Sequence, residues 1–142
     1  MAFVAEKAGS NRKIWLFDSF EGMPEPSGFN RKPVERNIGS VRDCQKVLFD
    51  ILKLNRNTIK IVRGWFKDIL PRCKENIENI ENIEKIEKIA ILRIDADFYE
   101  STKICLEELY DNVILGGFIV IDDYGMFSGC KLTVDEFIKK ES

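Results

Sequence analysis

Two apolar runs in this 142-residue chain end abruptly in acid: IAILRIDADF, from Ile89 to Phe98, and GGFIVIDDYG, from Gly116 to Gly125. A strand covered on both faces reads as continuous hydrophobe, and its interior tolerates no carboxylate. Acids placed just past the strand end therefore sit at the rim of a sheet, where parallel α/β proteins bind ligands. If the two strands are neighbours, Asp95, Asp122 and Asp123 converge within reach of one ion. Such an all-oxygen set suits Mg²⁺, which takes its ligands at about 2.0–2.1 Å and completes its shell with water or substrate. The competing reading is that these acids cap the helices that follow them. Asp97 fits either a cap or a hydrogen bond to substrate.

The chain contains no histidine. That removes a His-based triad, a His-ligated zinc and an imidazole base, and leaves oxygen donors for any metal. A net charge of -2 and the absence of a basic block argue against nucleic acid or an anionic membrane as partner. Cys44, Cys73, Cys105 and Cys130 form no C-x-x-C pair and read as reduced, packed thiols of a cytoplasmic protein. The first residues do not form a signal peptide, and no apolar run reaches the length of a membrane span.

The elements that position these acids follow from pattern and punctuation. Ala2, Phe3, Val4, Ala5 and Ala8 suggest a helix ending at Gly9. KIWLFD gives a strand from Ile14 to Phe17, closed by Asp18. Ser19 to Pro33, rich in proline and glycine, reads as a loop. Ser40 with Asp43 forms a capping box, followed by Val41, Cys44, Leu48 and Ile51 at helical spacing. Ile59 to Arg63 is a strand ended by Gly64, and WFKDILP a turn or short helix stopped by Pro71. Residues 75–88 carry an Asn-Ile-Glu repeat. Its spacing of three drifts around a helix, so it reads as a low-complexity insert, solvated as helix or loop. Strands Ile89–Ile94 and Phe118–Ile121 flank a helix near Ser101–Tyr110, and a helix at Lys131–Lys140 closes the chain. Strands separated by helix-length segments predict parallel pairing in one doubly wound sheet, hence an α/β fold in a single domain over residues 1–142.

LFDSFEGMPEP, RGWFKDILP, LRIDADFYEST and GGFIVIDDYGMFSGCKLTVDEF resemble, in order, the motifs of the macrocin O-methyltransferase (TylF-type) family. The resemblance runs from about Ile14 to Ile138 and implies a Rossmann-like core that uses S-adenosylmethionine and Mg²⁺ to methylate a sugar hydroxyl. Carried over by position, Asp18 falls at the ribose with Ser19 beside it in the cofactor site, Trp65 and Phe66 border the adenine, and Asp95, Asp122 and Asp123 are the metal ligands. No residue is assigned as the catalytic base. The class opens with a strand and a glycine-rich loop, but only 13 residues precede Ile14, with Gly9 their only glycine. The resemblance therefore implies a core lacking that first strand and the closing strands. Such a chain is expected to bind S-adenosylmethionine weakly by itself, and to work as a homo-oligomer or with a complementary segment.

Two other readings stand beside it. Asp95-Ala96-Asp97 after an apolar strand also suits a metal-dependent nucleotide-sugar glycosyltransferase, though IDDYG and LFDSFEG then have no role. A non-catalytic remnant of a methyltransferase is the other.

Overall fold

The computed structural model describes residues 1–25, 38–75 and 85–141. These divide into two compact units, the first holding residues 1–24 and 38–65 and the second residue 25 with 66–75 and 85–141.

The first unit opens with α1 (Ala2–Lys7). It ends where the sequence predicts: Gly9 adopts φ 68°, and Gly9 N–H and Ser10 N–H donate to the carbonyls of Glu6 and Ala5. This is a Schellman stop, which favours glycine because the left-handed conformation burdens any Cβ. Strand β1 (Ile14–Asp18) pairs in parallel with β2 (Ile59–Arg63), Ile14 opposite Ile59 and Asp18 opposite Arg63. Between them, Ser40 caps α2 (Val41–Gln45), its Oγ accepting from Asp43 N–H at 3.0 Å. The helix then widens into a π-helical segment, Lys46–Ile51, closed by Leu52 N–H donating to the Val47 carbonyl. The wider turn rotates the apolar stripe. Ile51, expected on the packed side, is exposed, and Leu54 is buried in its place.

The second unit holds α3 (Phe66–Glu75), β3 (Ile89–Ile94), α4 (Tyr99–Leu109), β4 (Val113–Ile121) and α5 (Ser128–Glu141). Pro71 does not stop α3 as the sequence suggests. Ile69, Leu70 and Cys73 are buried on this helix, which packs on α4. Their burial outweighs the hydrogen bond the proline removes. Residues 76–84, most of the Asn-Ile-Glu repeat, lie outside the described residues, as does the loop from residue 26 to Pro33. Ile86, the first described isoleucine after them, is buried, and its N–H donates to the Cys73 carbonyl.

β3 and β4 run parallel, with Leu92 opposite Ile119 and Ile94 opposite Ile121. Parallel pairing and the α/β class are as the sequence predicts. The single four-stranded sheet is not: among the described residues the strands form two parallel pairs, β1 with β2 and β3 with β4. The β1–β2 pair keeps one unbroken register from Ile14–Ile59 to Asp18–Arg63.

β4 also begins earlier than the expected Phe118. Its register slips beyond Ile89–Val113, so that Ile91 faces Phe118. The glycine pair explains the slip. Gly116 takes φ 78°, and a Cβ on Gly117 would meet the Ile114 carbonyl at 2.8 Å and the Ala90 carbonyl at 3.1 Å. Both obstacles are backbone, so neither can turn aside. Gly117→Ala is expected to lower stability by about 1–3 kcal/mol in urea unfolding. Gly125→Ala, where a Cβ meets nothing within 4 Å, should stay within about 0.5 kcal/mol.

Candidate functional site

The rim is built by extending the β3–β4 register past its last strand residues. Asp122 N–H donates to the Ile94 carbonyl at 3.0 Å, which sets Asp95 beside Asp122. Side chains alternate along a strand, so Arg93 and Asp95 share one face of the sheet with Val120 and Asp122. On that face Arg93 spans both strand ends, with Nη1 2.9 Å from Asp95 Oδ2 and Nη2 2.8 Å from Asp122 Oδ2. These carboxylates hold the guanidinium above its ordinary pKa, the hydrogen bond it donates to Asp122 contributing most.

Asp123 follows in the opposite direction and is buried. Its carbonyl accepts from Met126 N–H and Phe127 N–H, both at 3.0 Å, in the turn that leads to α5. Asp97 comes towards it from the other strand end. Asp97 has φ 52°, and Phe98 N–H closes a three-residue turn onto the Ala96 carbonyl at 2.5 Å. Such a turn is strained for a residue with a side chain, and strain of this kind concentrates at functional sites. Here it directs Asp97 N–H to Asp123 Oδ2 at 3.4 Å. Phe98, buried at the start of α4, meets the Phe127 ring edge-on at 6.3 Å and so ties together the segments after β3 and β4.

The structure thus brings Asp95, Asp97 and Asp123 together, with one carboxylate oxygen of each within 4.8 Å of the others. Asp122, predicted as a ligand, is held by Arg93 outside this trio. Asp97, assigned by sequence to either a cap or a substrate contact, stands inside it. Asp97 is half-buried and its carboxyl is pushed up to about 6, by burial first and then by the charges of Asp123, Asp95 and Asp122. Several carboxylates crowded on a partly buried rim repel one another, and a divalent cation relieves that repulsion. The donor set is all oxygen, which fits Mg²⁺. Sequence reasoning missed Arg93. Its signal was a lone cation inside an otherwise apolar strand, with aspartates two residues beyond it and at the end of the partner strand.

In the first unit, Asp18 closes β1 and is exposed. Its Oδ1 accepts from Phe20 N–H at 2.6 Å, and its carbonyl accepts from Gly64 N–H at 2.9 Å. Ser19 is buried; its hydroxyl accepts from Glu21 N–H at 3.1 Å and donates to the Gly22 carbonyl at 3.2 Å, fixing the turn after the strand. Trp65 follows Gly64 at the end of the β2 segment, and Phe66 opens α3; each is partly buried in its own unit.

Comparison with known proteins meets this geometry. The family model described as Macrocin-O-methyltransferase (TylF) matches residues 1–142. The chain is 32% identical over 139 residues to the demethyldecarbamoylnovobiocin O-methyltransferase of Streptomyces niveus, covering 92% of this chain and 48% of that protein. It is 32% identical over 136 residues to 8-demethyl-8-(2,3-dimethoxy-alpha-L-rhamnosyl)-tetracenomycin-C 4'-O-methyltransferase of Streptomyces olivaceus, covering 89% and 47%. The chain therefore spans about half the length of these curated relatives. The solved structure of the O-methyltransferase NovP superposes with a TM-score of 0.75 at 29% identity, covering 96% of this chain and 56% of that one.

Proposed function

The chain belongs to the macrocin O-methyltransferase (TylF) family, and from that premise we propose that it serves S-adenosylmethionine-dependent methylation of a hydroxyl on a sugar or glycosylated small molecule, with Mg²⁺ at the acidic rim. The observation that carries this reading is the meeting of Asp95, Asp97 and Asp123 within 4.8 Å just past two parallel strands. The relatives named above are O-methyltransferases, one of them for a rhamnosyl-bearing compound, which supports the acceptor class.

Methyl transfer is an in-line displacement. The acceptor oxygen forms its bond to the methyl carbon as the sulfonium bond breaks, and the hydroxyl proton must leave. Most of the enzyme's work is orientation. Asp95 and Asp123 would hold Mg²⁺, joined by Asp122 once its pairing with Arg93 is released, and the ion would supply a Lewis acid that makes a sugar hydroxyl more acidic. Asp97, presented on its strained turn beside them, hydrogen-bonds the acceptor hydroxyl. In the first unit, Asp18 accepts hydrogen bonds from the ribose hydroxyls, and Ser19 keeps the turn that presents it. Trp65 and Phe66 border the adenine. Among the described residues no helix is long and apolar enough to cross a membrane.

Saturation-transfer NMR detects weak ligands and tests this reading on the chain itself. Adenine and ribose protons of S-adenosylmethionine should show transfer in the presence of Mg²⁺, and Asp18→Ala should weaken the ribose signals severalfold. Transfer to a nucleotide diphosphate sugar, with none to S-adenosylmethionine, would replace the proposal with the glycosyltransferase reading of Asp95 and Asp97.

A further inference from the structure

Arg93 is the only charged residue of β3 and sits where two carboxylates from different strands come side by side. A planar guanidinium with parallel N–H donors suits that bridging position better than an ammonium would. Asp95 belongs to both arrangements. One of its oxygens pairs with Arg93, and it also belongs to the trio whose oxygens lie within 4.8 Å. Asp122 pairs with Arg93 through Oδ2 and is not one of that trio.

We propose that the Arg93 guanidinium is the resident counter-cation of the acidic rim, and that a divalent ion binds there by displacing it. This rests on the reading of the rim as a cation site. A guanidinium and a divalent ion repel each other at the separations this rim allows, and both draw on the carboxylate of Asp95. Arg93 is exposed enough to yield, with 41% of its side chain accessible, and an ion pair at that exposure holds only weakly. Its departure frees Asp122 to turn towards the ion. The exchange thus links the arrangement in this structure to the fuller ligand set of Asp95, Asp122 and Asp123.

The test is Mn²⁺ binding to the whole chain, read from the loss of the free-ion electron paramagnetic resonance signal. Arg93→Gln removes the competing charge and should tighten binding about tenfold. Arg93→Met, a second neutral variant, should do the same, and circular dichroism verifies that each variant is folded. Arg93→Lys keeps the charge and should stay within about threefold of wild type. The proposal is overturned if the neutral variants bind Mn²⁺ no tighter than wild type, or if the lysine variant binds as tightly as they do. Failure of the cation site itself looks different: no Mn²⁺ binds to wild type or to any variant, and the proposal falls with it.

Discussion

Replacing Asp123 with asparagine should weaken Mg²⁺ binding by about a hundredfold or more. Loss of residues that merely orient ligands commonly costs 10- to 100-fold in metal affinity, so loss of a ligand should reach or exceed the upper end. Asparagine keeps the shape and one oxygen but removes the charge, so the change reports electrostatics rather than packing. Asp123 is the strongest test because it is buried and accepts from Asp97 N–H. The strength of an ionic contact rises as the local dielectric falls, so its carboxylate contributes more per charge than exposed Asp95 or Asp122. Asp95→Asn should weaken binding too, by less. Isothermal titration with Mg²⁺, checked by Mn²⁺ resonance, measures both variants. An Asp123→Asn chain that binds Mg²⁺ as wild type does would remove the rim as a metal site.

The sequence makes strand ends far more legible than the contacts between them. A run such as IAILRI followed by Asp announces both a buried parallel strand and its rim, because burial excludes charge until the chain leaves the sheet. The same logic placed Asp18 at the end of β1 and paired β3 with β4. It could not tell which side chains face which partner beyond the last ladder bond. Asp122 and Asp123 are adjacent, yet one turns to Arg93 and the other inward to Asp97. That division depends on the turn at Asp97, whose φ of 52° is a conformation aspartate tolerates better than most residues but adopts only in a minority of cases, so the residue type alone does not announce it. Helix limits failed for a related reason. Pro71 reads locally as a stop, but the decisive term is the burial of Ile69, Leu70 and Cys73 against α4, which is far away in sequence. The expected continuous sheet rested on loop lengths, which allow parallel pairing but do not choose the partner. Two separate parallel pairs satisfy the same lengths.

Leu106→Ala should destabilise the second unit by about 2–5 kcal/mol, a large share of the 5–15 kcal/mol typical of a whole domain. Thr102, Cys105, Leu106 and Leu109 are the buried residues of α4, spaced so that they fall on one helical face. The helix packs against α3, α5 and β3, which makes α4 the element these three share. Leu106 is only 3% exposed, and its truncation leaves a cavity among elements that cannot all move inward. Glu107, its exposed neighbour on the helix, is the control; Glu107→Ala should change stability by less than about 0.5 kcal/mol. Urea unfolding at constant m value separates the two. The site should register the loss as well. α4 starts at Tyr99, two residues after Asp97, and Phe98 anchors that start against Phe127. A loosened helix relaxes the strained turn that brings Asp97 to Asp123. Mg²⁺ affinity should therefore fall in Leu106→Ala under conditions where the chain is still folded, by less than in Asp123→Asn. If Leu106→Ala cost under about 1 kcal/mol, α4 would not be the support of the rim, and the turn at Asp97 would have to be held by the strand ends alone.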